Sequence, residues 1–203
     1  MQEQDVIKVL KKDLNFNDIS IKKLKLFSQN LILANQKYNF ISRSTESDIW
    51  NRHILDSAQL VRFIDFKSGS LSDLGSGAGF PGMVLAIFNN NVDFHVKLYE
   101  KSPVKRSFLK KIVEELNINA TVLANIHDEI IDSNIIVCRA FKKLDQVIQV
   151  SREIAKKPHK LIVLKGQNAQ EEINKAFKIQ KYPYKLEKSM TNVDSRIIII
   201  NFN

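Results

Sequence analysis

A single cysteine, Cys138, stands in a chain of 203 residues, so no disulfide can close within it. With four histidines beside it, no Cys/His cluster has the spacing of a zinc site, and no metal is expected. No stretch approaches the roughly 18 apolar residues that a membrane-spanning helix needs. The opening segment 1–14 carries Glu3, Asp5, Lys8, Lys11, Lys12 and Asp13 without a long apolar run. A cleaved secretion signal is therefore not expected, and a cytoplasmic protein is the simple reading. Gly-Lys-Ser/Thr is absent, which removes the Walker phosphate loop. There is no internal repeat and no low-complexity tract.

What is present is ordinary for a globular domain: 44% apolar and 26% charged residues, enough for a real core. The charge is not balanced. Thirty-one basic residues against 22 acidic leave a net +9. A lysine-rich solvated surface and a polyanionic partner, nucleic acid first, both account for that excess.

The chain divides in two. Residues 1–69 read as a helical extension. Val6, Val9 and Leu10 share one helical face, and Ile21, Leu24 and Leu31 mark a longer amphipathic helix. A third helix is expected over 46–61, with Ile49, Trp50, His53, Ile54, Leu60 and Val61. Residues 70–203 read as an α/β domain. Short apolar strands at 70–74, 94–100, 121–123, 135–138 and 160–164 alternate with helices at 81–88, 103–116, 144–155 and 169–177. Val104, Phe108, Ile112 and Leu116 are expected on one side of the helix at 103–116. Such a series implies a parallel sheet with helices on both faces. Two further strands, 184–188 and 197–202, are separated by a turn-like stretch and suggest an antiparallel hairpin at one edge.

Between the first strand and its helix runs Asp73-Leu74-Gly75-Ser76-Gly77-Ala78-Gly79-Phe80-Pro81-Gly82. Glycine lacks Cβ, so a ligand can approach the backbone there. A bare strand-to-helix turn would need one glycine, not three at a sheet's carboxyl edge. Gly77 to Gly82 formally fits the dinucleotide pattern G-x-G-x-x-G, but Pro81 falls where N–H groups would cradle a pyrophosphate. What remains is an acid at the strand end followed by G-x-G-x-G, which resembles motif I of the class I methyltransferases. Glu100, ending the second strand 25 residues after Gly75, sits where an acid would accept hydrogen bonds from a ribose. Asp128 is the corresponding candidate after the third strand, at the adenine edge. It could equally cap a helix start.

The whole motif from Asp73 to Gly82 is similar to the signature of the small-subunit ribosomal RNA methyltransferase G family, also called the glucose-inhibited division protein B family. Arg52-His53-Ile54-Leu55-Asp56-Ser57, Lys105-Arg106, Arg139-Ala140-Phe141 and Leu164-Lys165-Gly166 resemble further family segments in the same order. The resemblance implies a Rossmann-like, mostly parallel seven-stranded sheet carrying an N-terminal helical extension. It implies methylation of guanine N7 in small-subunit ribosomal RNA, with S-adenosylmethionine as the donor. Carried over by position, the family's cofactor contacts fall on Gly75, Phe80, His127, Asp128 and Arg139; the loop and strand-end reading adds Asp73, Gly77 and Glu100. Two stretches depart from the family pattern: Asn39-Phe40-Ile41-Ser42, and His127-Asp128-Glu129 at the adenine site.

The residues suit that acceptor. No Asn/Asp-Pro-Pro-aromatic loop follows the fourth strand, as exocyclic amine methylation would need. Cys138 lies within an apolar strand and reads as a small buried residue, not a nucleophile. Guanine N7 already carries an in-plane lone pair, so alignment can replace a general base. No catalytic residue is assigned, and Arg139 is a positioning candidate. Arg52, Lys105, Arg106, Lys110, Lys111 and Lys165 are candidates for RNA contact, with Lys97 and Lys101 extending a basic cluster near few acids. His53, on an apolar helix side, reads as a packed histidine beside the site. A monomer is expected. The rival readings are a methyltransferase acting on another RNA, DNA or a small molecule, a nicotinamide dinucleotide-binding domain, and a non-catalytic RNA-binding module.

Overall fold

The computed structural model describes residues 1–67, 69–128, 130–155, 157–178 and 181–203. Seven strands form one sheet in the order β3-β2-β1-β4-β5-β7-β6. The strands are β1 (Gly69–Leu74), β2 (Phe94–Tyr99), β3 (Ala120–Leu123), β4 (Ile135–Arg139), β5 (His159–Lys165), β6 (Tyr184–Lys188) and β7 (Arg196–Phe202). Strands β1 to β5 are parallel, and β7 runs antiparallel to both β5 and β6. The expected hairpin is there, with β6 at the edge and β7 inserted beside β5. The order reverses at β1/β4, placing the crevice where an open α/β sheet takes its ligands.

Alternation along the strands divides the core. Val96, Leu98, Ile135, Val137, Ile162 and Ile197 face one side, while Ile136, Cys138, Leu161, Val163 and Ile198 face the other. Strands β4, β5 and β7 consequently carry unbroken apolar runs, as strands covered on both faces do. The first face is covered by α1 (Glu3–Lys12), α2 (Asp18–Tyr38), α5 (Gly82–Phe88) and α6 (Pro103–Glu115). The second face is covered by α7 (Leu144–Ile154) and α8 (Ala169–Ala176). Leu24, Phe27 and Leu31 of α2 lie in the same core as Met83 and Leu85, so the N-terminal helices close one face of the sheet.

Two elements differ from the sequence pattern. The stretch expected as one helix is four pieces: α3 (Arg43–Glu46), a π turn over Trp50–Leu55, α4 (Asp56–Ala58) and a 3-10 turn over Gln59–Phe63. The wide turn buries Leu55 beside Trp50 and Ile54, a position that a regular 3.6-residue period places off their face. In α6 the buried side chains are Leu109 and Ile112, followed by Leu116, whereas Val104 is 45% exposed. A four-residue repeat advances about 40° per step on a 3.6-residue helix, so Val104 and Leu116 end about 120° apart.

Candidate functional site

The glycine loop is tied to the end of β2. The N–H groups of Gly75 and Ser76 both donate to the Tyr99 carbonyl at 2.9 Å. Gly77 N–H donates to Glu100 Oε2 at 2.8 Å, and Ser102 N–H to Oε1 at 2.7 Å. Each Glu100 oxygen keeps a second lone pair, and the residue is only half-buried. Gly75, Gly77 and Gly79 all have positive φ. Gly75 is also packed under Phe141, whose ring carbon would lie 2.6 Å from a Cβ there. That contact gives the Arg139-Ala140-Phe141 segment a reason to accompany the loop.

Asp73, next to the last residue of β1, is fully buried. Its Oδ2 accepts the Gly82 N–H at 2.9 Å, while Oδ1 has no hydrogen-bond partner among the described residues. Burial pushes its pKa up to about 7, against the lowering effects of the Ser76 hydroxyl, the Gly82 N–H and the Arg139 charge. A carboxylate oxygen left unpaired at the base of an open loop is prepared for a cationic or hydrogen-donating group.

Beyond β4 lies a second cluster. Arg139 Nη1 donates to Asp56 Oδ2 at 3.2 Å and to the Arg52 carbonyl at 3.1 Å, and Nη2 meets His53 Nδ1 at 2.8 Å. Its guanidinium lies 5.1 Å from the centre of the Phe80 ring, on which His53 stacks at 5.0 Å. Because guanidinium only donates, His53 Nδ1 must accept, and the neutral ring's proton sits on Nε2, facing Thr45 Oγ1 at 2.9 Å. Asp56 Oδ1 in turn accepts from Gln59 Nε2 and from Thr191 Oγ1 in the β6–β7 turn. This frame walls a cavity of about 460 Å³ reached by Thr45, Arg52, Ala140, Gly166, Asn192 and Ser195. The Phe80 ring itself is buried, so any ligand meets that residue through its backbone.

Two buried groups titrate in opposite senses. Burial, helped by the Arg139 and Arg52 charges, pushes His53 down to about 3 from 6.5. The unfolded chain then takes up a proton that the folded chain refuses, so this group's stabilisation is lost as pH falls from 6.5 toward about 3. Asp73, raised from 3.8 to about 7, holds a proton that the unfolded chain releases, so its contribution is lost as pH rises through that window. Each slope is about 1.4 kcal/mol per pH unit at most, and the two offset one another where the windows overlap. Asp73→Asn is expected to make the protein more acid-labile below pH 6.5, and His53→Gln less so. Urea unfolding of both variants across that range reads the result, and parallel curves for both would remove these assignments.

The other sequence candidates are scattered. His127 and Asp128 are exposed in the loop after β3, whose end is held beside Glu100 by the Glu100 N–H to Leu123 carbonyl bond. Asn125 braces that loop through Asp128 Oδ1 and the His127 N–H. Glu129, noted with them, lies outside the described residues. Lys165 is not a free cation: its Nζ pairs with Glu172 at 2.8 Å and donates to the Lys142 carbonyl. Arg106 donates to the carbonyls of Glu100 and Lys101, fastening the turn into α6. Lys97 leaves the basic cluster altogether. It pairs with Asp132 on the face opposite α6, because neighbours on a strand alternate sides. Arg52, Lys110 and Lys111 are exposed, as an RNA contact requires, and Lys105 is half-buried.

Asp56, Thr45 and Thr191 are the site residues that the sequence did not single out. Asp56 stood in the quoted Arg52-to-Ser57 segment without a role, since nothing local joins it to a residue 83 positions on.

Known proteins resemble this chain as follows. A sequence profile of the rRNA small subunit methyltransferase G family matches residues 20–197. Ribosomal RNA small subunit methyltransferase G of Pelagibacter ubique is 36% identical over 181 residues, covering 86% of this chain and 85% of the relative. The protein of the same description from Rickettsia typhi is 38% identical over 183 residues, covering 89% and 93%. Among solved structures, a methyltransferase from Pyrococcus furiosus superposes with a TM-score of 0.58 over 73% of this chain and 82% of its own, at 11% identity. A SAM-dependent methyltransferase from Aquifex aeolicus gives 0.54 over 73% and 89%, at 12% identity. These two likenesses speak for the Rossmann-like fold alone.

Proposed function

The chain belongs to the rRNA small subunit methyltransferase G family, and from that premise we propose that it methylates N7 of a guanine in small-subunit ribosomal RNA, with S-adenosylmethionine as donor. The observation that carries the reading is one sheet edge holding the open glycine loop, the Glu100 carboxylate bonded to it and the unpaired buried oxygen of Asp73.

The residues fit the cofactor. Asp73 Oδ1 is an acceptor without a donor, and the cofactor's amino-acid tail carries an ammonium. Glu100 has lone pairs left for ribose hydroxyls, and a Cβ built at Gly77 would meet nothing beyond its chain neighbours nearer than the Gly75 carbonyl oxygen at 3.9 Å. The His127-Asp128 loop flanks Glu100, where an adenine edge would follow the ribose. When bound, S-adenosylmethionine supplies an electrophilic methyl group on its sulfonium.

The protein's own part is positional. Arg139, fixed at three points by Asp56, Arg52 and His53, walls the 460 Å³ cavity that would take an acceptor base. His53, held neutral by burial and by the adjacent Arg139, adds a stacked ring and no charge. Guanine N7 loses no proton on methylation, so no residue here has to act as a base. Cys138 cannot serve as a nucleophile. It is 1% exposed, and burial first, then the Asp73 charge, push its thiol up to about 12. Cys138→Ala is expected to keep the full transfer rate with a stability loss of about 1 kcal/mol. A well-folded but inactive Cys138→Ala protein would overturn the direct mechanism.

Among the described residues no helix is long and apolar enough to cross a membrane. The reading is tested by incubating the protein with methyl-labelled donor and, in separate reactions, small-subunit RNA, large-subunit RNA, transfer RNA and DNA. Label should enter small-subunit RNA. Label confined to another acceptor would assign a different substrate.

A further inference from the structure

Guanine N7 lies on the major-groove edge, which a stacked A-form helix hides. A base delivered to the cavity beside Arg139 must be splayed from its strand, and the bases flanking it then lose their stacking partners. The surface offers a replacement. A groove of about 740 Å³ lies between the last turns of α2 and the first turns of α6, lined by Leu33, Lys37, Tyr38, Phe40, Val104, Phe108 and Lys111 among others. Tyr38 is 55% exposed, and its ring stacks on Phe40 with centres 5.5 Å apart and planes 16° from parallel. Phe40 leans on Phe108 at 5.2 Å, so the exposed ring rests on a buried aromatic base. Leu33 and Val104 add apolar surface, 63% and 45% exposed.

Charge selects the occupant. Two lysines and no carboxylate line the groove. Lys111 makes one exposed pair, with Glu115 at 3.4 Å, of the kind worth little in water. The chain also links the groove to the site. The chain leaving Tyr38 reaches Thr45, which bonds His53 and lines the acceptor cavity, and α6 begins three residues after Glu100. Stacked aromatics between lysines form a platform for single-stranded nucleic acid.

We propose that the groove between α2 and α6 binds unpaired RNA bases flanking the methylated guanine, with Tyr38 as the stacking surface and Lys37 and Lys111 on the phosphates. The proposal rests on the RNA-methyltransferase reading above.

A short fluorescein-labelled single-stranded RNA, and a duplex of the same sequence, are the probes. Tyr38→Ala should weaken the single strand about 5- to 100-fold, and Tyr38→Phe should restore it, because a ring and not a hydroxyl is required. Duplex affinity and S-adenosylmethionine affinity should not change with either variant. Lys37→Glu combined with Lys111→Glu should lower affinity and flatten its salt dependence by about two phosphate contacts. Unchanged single-strand binding by Tyr38→Ala, equal loss in Tyr38→Phe, or self-association of the protein abolished by Tyr38→Ala would each overturn the proposal. Normal methylation with Tyr38-independent RNA binding sinks the groove alone. Tyr38-dependent RNA binding with no methylation of small-subunit RNA sinks the catalytic reading instead.

Discussion

Gly77→Val is expected to abolish S-adenosylmethionine binding and leave the fold standing. Gly77 has φ of 58°, and a Cβ built there meets nothing nearer than the Gly75 carbonyl oxygen at 3.9 Å. The added side chain therefore points into the loop's open space, where the cofactor is proposed to lie, and not into the protein. The left-handed backbone costs a β-branched residue roughly 1–2 kcal/mol, which a domain of this size tolerates. Gly82 supplies the contrast. A Cβ there would press on Leu98 and on Asp73 Oδ2 at 2.6 Å, so Gly82→Ala should lose stability before it loses ligand. Calorimetric titration together with thermal unfolding separates the two effects. A folded Gly77→Val protein that binds the cofactor as the wild type does would displace the cofactor from this loop.

The second large effect is on rate. Arg139→Lys should lower single-turnover methyl transfer by about 100-fold, the scale of a misplacement near 1 Å, without changing which atom is methylated. Lysine keeps the charge but not the planar fork that engages Asp56, Arg52 and His53 at once. Arg139→Ala should behave differently. It strands the Asp56 carboxylate, 15% exposed, without its cation, and breaking such a pair costs about 3–5 kcal/mol of stability. Thermal melts and single-turnover rates of both variants check this. An Arg139→Lys enzyme with a wild-type rate would remove Arg139 from the positioning role.

The sheet and the glycine loop were legible because their signals are local. Apolar runs such as Ile135–Cys138 between turn residues declare buried parallel strands, and an acid before G-x-G-x-G announces a ligand loop. The offset singles out Glu100 as a candidate, and the structure bonds it directly to Gly77. What was not legible depends on folding. The Arg139–Asp56–Thr191 chain joins three segments up to 135 residues apart, and no spacing rule reaches that far. Lysines were misgrouped for the same reason. Lys97 looked like a neighbour of Lys101 and Lys105, but strand alternation sends it across the sheet to Asp132. Lys165 reads as a candidate for RNA contact, but Glu172, in the helix that directly follows its strand, holds it. The interrupted helix over 46–61 hid the π turn preceding Asp56, the residue that fixes Arg139.

The central claim is methyl transfer to guanine N7 without a covalent intermediate, and one measurement bears on it most directly. Small-subunit RNA methylated by the purified protein is reduced with borohydride and cleaved with aniline, a treatment that breaks the chain at 7-methylguanosine. The predicted result is a single new cleavage at one guanine, dependent on S-adenosylmethionine and absent with Gly77→Val. Methyl label incorporated into the RNA with no such cleavage would place the methyl on another atom and contradict the account.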